Sequence, residues 1–400
     1  MKRFTACLFL LLMASTLLTG CWNRRELNEL AIAVGLGLDK DGDGYQVSVQ
    51  VVNPSEVSSG KGGGESPATL YTAKGHTVSE AIRRISNISP RKIYVSQLRM
   101  ALLGQSLADT GVAEALDFLL RDHELRTDFY LAVVKNASAE DALKIMTPLQ
   151  KIPANKLFAS LETSEQTWAP SLTETLNEMI SDLLSDGKQP VLPGIRILGD
   201  PEIGAKKQNI EGIDTPTQLK FTGIAAFKRD KVVGWLTEDQ SKGYNFIRGN
   251  IKNTMEHAKC PDGGKLSFEV INSKTKSHGK VIQGKPQIDI DVKISGNIAD
   301  VECKNLNLLN VETIEMIEHL LNERIKSIME DSIHTVQQNF GADIFGFGEV
   351  VHRSNPRAWK ELRHDWDERY FRTLPVNIKV SVKIQRLGTT KDSFLKNMKE

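Results

Sequence analysis

The chain is poor in cysteine: of 400 residues only four are Cys, and two of those, Cys7 and Cys21, lie at the very start. This excludes a disulfide-dense scaffold, and no Cys-x-x-Cys pair begins a zinc set. An excess of either charge is also lacking, the formal net charge being +1. Without Lys2 and Arg3 the balance is 49 basic against 50 acidic side chains (51 − 2 against 50), which gives no reason to expect nucleic acid or a polybasic lipid-surface patch. After residue 18 no apolar run approaches the length of about 18 residues that would argue a membrane-spanning helix. There is no G-x-S-x-G elbow, no G-x-x-x-x-G-K-[ST] phosphate loop, and no internal repeat.

What is present begins with the leader. Lys2 and Arg3 precede an apolar stretch from Phe4 to Leu18, about 15 residues where about 20 are needed to span a bilayer. It suits the apolar core of a signal peptide. It ends in Leu18-Thr19-Gly20-Cys21, an apolar residue, two small ones and a cysteine, the pattern of a bacterial lipobox. Cleavage before Cys21, with lipid on its thiol, leaves 400 − 20 = 380 residues, enough for two or three domains. Two or three acyl chains make a stable anchor. Composition of the whole chain, 40% hydrophobic and 25% charged, is that of ordinary globular domains.

Periodicity divides the chain into a leader, 1–20; a mixed α/β N-terminal domain, 21–198; a linker, 199–218; a strand-rich middle domain, 219–302; a C-terminal α/β domain, 303–388; and a polar tail, 389–400. Leu30–Leu38 and the alternating Tyr45, Val47, Val49 and Val51 read as a hairpin. Thr77-x-x-Glu80, Ser138-x-x-Asp141 and Ser171-x-x-Glu174 read as helix starts. Tyr94–Leu103 reads as one strand. In the middle domain Phe221–Phe227, Lys231–Leu236, Lys265–Ser273 and Gln287–Ser295 are the main strands. A helix over 311–340, with Ile317, Leu321, Ile325 and Ile328 on its apolar stripe, dominates the last domain.

Candidate sites are few. Asp39-x-Asp41-x-Asp43-Gly44 matches half of a calcium loop, but Gln50 stands where a bidentate Glu is required. His257 and Cys260 lie three apart, with Cys303 as a third ligand only if the fold brings it near. Cys260 and Cys303 would otherwise pair as a disulfide or remain free thiols. Lys61-Gly-Gly-Gly64 has the composition of a phosphate loop but not its order. His352, His364 and Asp365 contain the residue types of a triad, and Asp365, Asp367 and Glu368 those of a carboxylate pair. Each is read as solvated surface, and no enzyme is expected.

The start of the mature chain, Cys21-Trp22-Asn23-Arg24-Arg25-Glu26-Leu27, resembles the C-W-D-x-x-E-[IL] opening of the Ger(x)C lipoproteins, with Asn23 in place of the usual acidic residue. Gly223-Ile-Ala-Ala-Phe227-Lys228 with Lys231-Val-Val-Gly-Trp-Leu236 is similar to a second family segment. Gln338-Asn-Phe-Gly-Ala-Asp343-Ile-Phe-Gly-Phe-Gly348, followed by Pro356, Trp359, Trp366 and Phe371, is similar to a third. That family comprises the C subunits of nutrient germinant receptors in endospore-forming bacteria. The resemblance implies an α+β fold: an elongated ectodomain of three mixed α/β domains, mostly antiparallel sheets and a long helix in the C-terminal domain. It further implies a non-enzymatic subunit without cofactor or metal, lipidated at Cys21 on the outer surface of the spore inner membrane. Its partners would be a polytopic A subunit and a transporter-like B subunit, and the trigger a small nutrient. The alternative is a stand-alone extracytoplasmic lipoprotein that itself binds a small molecule. The aromatic block at 340–371 reads as the core of the last domain rather than as a partner surface.

Overall fold

A computed structural model describes residues 26–54, 56, 66–261, 263–303 and 306–386, together with Phe4 and Thr5. Cys21 and its neighbours, and the Lys61–Gly64 loop, lie outside the described residues.

Strands β1 (Leu30–Asp41), β2 (Gly44–Val52) and β3 (Ala68–Gly75) form an antiparallel meander. The run read from sequence as one strand over 94–103 is two, the short β4 (Lys92–Tyr94) and β5 (Met100–Gly104), both parallel to β1. Strands β6 (Tyr130–Val134) and β7 (Val191–Leu198) continue the parallel part. Strands buried on both faces need apolar residues at every position. Accordingly Ala101 and Leu103 face one core, and Met100 and Leu102 the other. Helices α1 (Val78–Ile85), α2 (Gln105–Thr110) and α3 (Ala113–Arg121) cover the first face, and α4 (Ala139–Lys144) and α5 (Pro153–Thr167) the second. Gly35 of β1 makes room for this second layer, since a Cβ there would lie 2.8 Å from that of Ala154.

Two of the three cap signals hold in place. Thr77 Oγ1 and Ser138 Oγ accept the amides of Glu80 and Asp141. The third shifts. Helix α6 runs Leu176–Leu183 and is opened by the capping box of Thr175 and Glu178, not by Ser171 and Glu174. Residues 171–174 form no helix; instead the Leu131 amide donates to the Glu174 carbonyl and Thr175 bridges Tyr130, so tertiary pairing overrides the local helix signal.

The largest correction concerns 199–236. Residues 199–218 are not a free linker. They hold helix α7 (Pro201–Gly204) and a buried Asn209, whose side chain bonds the carbonyls of Met146 and Thr217 and the amide of Thr217. Strands β8 (Gln218–Lys228) and β9 (Lys231–Trp235), read from sequence as the opening of a middle domain, turn back antiparallel onto β7 and complete a nine-stranded sheet. Edge pairing is a backbone property, and alternation of side chains cannot say which sheet a strand joins.

Helix α8 (Glu238–Arg248) then leads to a second sheet, in the order β10 (Thr254–Lys259), β11 (Lys265–Ile282), β12 (Lys285–Val301), β13 (Val376–Arg386). It is antiparallel except for β12 beside β13. Ile288, Ile290, Val292 and Ile294 of β12 form its inner face, as their alternation predicts. The long helix α9 (Val311–Thr335) packs there through Ile317, Leu321, Ile325 and Ile328, and continues in a π turn over Val336–Phe340. The helix expected over 311–340 thus has its expected limits. Glu318 and Asn322 on α9 also accept the amides of Ile384 and Val382 in β13, satisfying part of an otherwise open edge. The whole is a mixed α/β protein with antiparallel-rich sheets and a long C-terminal helix. Among the described residues no helix is long and apolar enough to cross a membrane.

Cys260 and Cys303 form a disulfide with Cα atoms 5.8 Å apart and a separation of 43 in sequence. It ties the end of β10 to the connection between β12 and α9. Closing a loop of that size restricts the unfolded chain by about 4 kcal/mol in the entropic account, and measured values often fall nearer 2. Replacing both cysteines by serine is expected to lower unfolding free energy by about 2–4 kcal/mol. A urea titration with and without reductant checks this, because reductant should lower the wild type and leave the double variant unchanged.

Candidate functional site

The residues singled out for chemistry do not converge. Asp39 turns inward and accepts the amides of Ala139 and Glu140 at 2.8 and 3.1 Å, acting as a cap on α4. Asp41 pairs with Lys74 at 2.9 Å across the sheet. Gln50 is buried, donating to the Leu143 carbonyl and accepting from the Ala154 amide. The calcium-loop spelling is therefore a hairpin turn plus two structural side chains. Cys260 is spent in the disulfide, leaving His257 alone. His352 stacks on Trp359, while His364 and Asp365 are exposed in a short 3-10 turn. Among the described residues no group of three or more His, Cys, Asp or Glu side chains could hold a metal ion.

The block 338–371 does converge. Gly341 (φ 58°) ends the long helix in the left-handed conformation, and Gly346 (φ 73°) precedes helix α10 (Phe347–Ser354) in the same conformation, both positions that favour glycine. Between them Asp343 is fully buried. Its Oδ2 accepts the Gly348 amide at 2.8 Å and the Trp366 indole N–H at 2.9 Å. Its own amide donates to Asp367 Oδ1 at 3.0 Å, and its carbonyl accepts the Gln189 amide at 2.8 Å. Gln189 in turn donates to Asp367 at 2.7 Å and accepts the Arg229 amide. Burial pushes the Asp343 carboxyl up to about 7 against the opposing pull of those hydrogen bonds.

Around this node lie the aromatics. Phe345 stacks on Phe347, Trp359 meets Trp366 edge to face at 5.1 Å, and Phe371 is completely buried. The block is core, as its composition suggested, except Phe340, which is half-buried against Gly234 of β9. It is also the joint between the two sheets. Gly348 packs so closely on Gly187 that a Cβ would lie 2.7 Å from the Gly187 Cα. Lys228–Glu368 and Arg363–Asp186 ion pairs flank the joint at 2.5 and 3.2 Å. Behind it Glu174 is buried near Asp182, Lys188 and Arg248; burial, with the Asp182 charge adding to it, raises its carboxyl to about 8.

Beside the joint lies a groove of about 780 Å³, lined among others by Leu120, Leu184, Lys228, Asp230, Arg363 and His364. Leu184 is 80% exposed and Leu120 45%. Sequence reasoning found the aromatic block but missed Asp343 as its centre, and missed Gln189 altogether. A lone acid inside an apolar, glycine-rich run was the available signal for Asp343; for Gln189 there was none.

Fold and site together define a two-sheet α+β protein whose glycine- and aromatic-rich C-terminal block locks one sheet to the other. Residues 23–197 match the family model for the spore germination protein N-terminal domain, and residues 222–388 that described as spore germination B3/GerAC like, C-terminal. Spore germination protein KC of Bacillus subtilis (strain 168) is 30% identical over 391 residues, covering 95% of each chain. GerQC of Bacillus cereus, also a spore germination protein, is 25% identical over 98% of this chain and 100% of its own. The crystal structure of the GerBC protein superposes with a TM-score of 0.54 over 90% of this chain and 99% of that one, at 19% identity, a likeness of fold. The chain belongs to the Ger(x)C family of spore germination proteins.

Proposed function

We propose that this chain is the lipid-anchored, non-enzymatic C subunit of a nutrient germinant receptor, required for spore germination in response to small nutrients. The observation that carries the reading is collinearity: both family halves match in order, and the relatives align over nearly their whole lengths. The lipobox ending at Cys21 supports an anchor on the outer surface of the spore inner membrane. Confinement to that plane raises the effective concentration of the subunit beside its polytopic A and transporter-like B partners. Its own part is then binding and positioning, with no bond made or broken.

Isolation of the lipidated protein from spore inner membranes, with mass spectrometry of what accompanies it, tests the assembly. A polytopic and a transporter-like membrane protein should co-purify. Recovery of the lipoprotein alone, from membranes where it is abundant, would sink the receptor reading. Cys21→Ala is expected to shift the protein from the membrane to the soluble fraction and to depress nutrient-triggered germination at least tenfold. Normal germination in that variant would remove the anchor from the account.

A further inference from the structure

A second cavity lies on the opposite side of the first sheet, where helix α5 faces the loop after α4 and the start of β8. Its volume is about 560 Å³, within the range of small-ligand sites. Of the fourteen residues lining it, Lys156 is the only one with an ionisable side chain. The Lys156 ammonium has three donors, and among the described residues one is used, on the Leu219 carbonyl. No carboxylate pairs with it among the described residues, and burial alone holds its pKa below the ordinary lysine value. A desolvated cation without a counter-charge is costly, so the fold keeps here a group that an anion would satisfy.

The walls say what kind of anion. Trp168 is 41% exposed yet fixed in place, its indole N–H on Glu238 at 3.1 Å and the Lys242 ammonium 4.0 Å from its ring centroid. Leu149 stands fully exposed at the mouth on a left-handed backbone (φ 62°), a conformation uncommon for such a residue. With Leu219 these give an apolar lining, while the side chains of Ser160 and Gln150 have no hydrogen-bond partner among the described residues. We propose that this cleft is a binding site for a small organic carboxylate with a branched or aromatic tail, its carboxylate on Lys156 and its tail against Trp168 and Leu149. The site is independent of the joint between the sheets and of the receptor assembly proposed above.

The test uses the full chain and 4-methylpentanoate as probe, with 4-methylpentanamide as its neutral match and binding read by saturation-transfer NMR and calorimetry. The carboxylate is expected to bind, and the amide at least tenfold more weakly. Lys156→Met should weaken the carboxylate at least tenfold and leave the amide unchanged. Ala159→Phe, which places a ring in the cavity one turn along α5 from Lys156, should abolish both. Thermal melting of each variant establishes that it is folded, and the carboxylate–amide comparison on the wild type needs no variant at all. Equal binding of acid and amide overturns the proposal, as does an unaffected Lys156→Met or no binding at millimolar probe. Displacement of the probe by equimolar inorganic phosphate overturns it in favour of a site for any small anion.

Discussion

Asp343→Ala is expected to lower unfolding free energy by about 3–5 kcal/mol, because it strands two buried donors at once. The Trp366 indole N–H and the Gly348 amide both end on Asp343 Oδ2, and Asp343 is fully buried, so neither donor gains water in exchange. Each buried donor without a partner costs about 1–3 kcal/mol, and the vacated carboxylate volume adds to that. Asp343→Asn separates hydrogen bonding from charge. Its carbonyl oxygen can stand where Oδ2 stands, keeping both donors satisfied, and its amide falls at Oδ1, which has no hydrogen-bond partner among the described residues. That variant should lose about 1 kcal/mol. Urea unfolding of the two variants beside the wild type decides the matter. A loss below about 1 kcal/mol for the alanine variant would mean that the joint is not held from this residue. Since the backbone carbonyl and amide of Asp343 bond Gln189, just before β7, and Asp367, loosening of the block around residue 343 in the alanine variant should also expose the 186–190 segment to proteolysis before the rest of the molecule unfolds.

Stability is expected to fall as pH rises from about 5 to about 8, the reverse of the usual acid-denaturation profile. Glu174 and Asp343 are both raised by burial, to about 8 and about 7. In the unfolded chain they titrate near ordinary carboxylate values, so between pH 4 and their folded values the native state holds protons that the unfolded state has released. Stability from these two groups is fully present below the unfolded values and is lost as pH climbs through the folded ones. Each shift spans roughly three pH units, an upper bound of about 4 kcal/mol per group; local hydration of the ionised forms reduces this to about 1–3. Exposed carboxylates such as Glu80 and Asp117, held below the usual range by the His76 amide and Arg121 respectively, act in the opposite sense but sit in water and contribute little. A melting series from pH 5 to 8.5 should show the decline. Asp343→Asn should make the decline shallower up to about pH 7, and Glu174→Gln up to about pH 8. A midpoint that is flat or rising over this range in the wild type would contradict both assignments.

The parts legible from sequence share a physical cause: they are local. The long helix was legible because Ile317, Leu321, Ile325 and Ile328 repeat at helical spacing, and β12 because Ile288, Ile290, Val292 and Ile294 alternate. Two caps were legible because the acceptor and its amide lie three residues apart. Helix α5 went unread, since its exposed face is rich in Ser and Thr and only Leu157 and Leu161, with Pro153 and Ala154, are buried. Helix α8 went unread although Thr237 and Gln240 spell its capping box, because its buried face is made of Ser241, Lys242, Gly243 and Asn245 as well as Tyr244, Phe246 and Ile247. Asn245 is at home inside only because the Ala169 and Ser171 carbonyls meet it there. Gly243 is there because the Ile328 carbonyl would stand 2.4 Å from a Cβ.

By itself, then, the sequence determined the lipobox expectation at Cys21, the mixed α/β class, the helix over 311–340, the apolar fate of the 340–371 block and the family to which they point. Those are properties of neighbours along the chain, set by side-chain periodicity and by residues that a short motif brings together. Only the tertiary structure decided that β8 and β9 complete the first sheet, that Cys260 meets Cys303, that Asp343 centres the joint, and that Lys156 lines a cleft where no carboxylate among the described residues pairs with it. Each of these depends on which distant groups desolvate or satisfy one another, and the energy of a buried charge or hydrogen bond is fixed by the partner across the fold, not by the residue next in sequence.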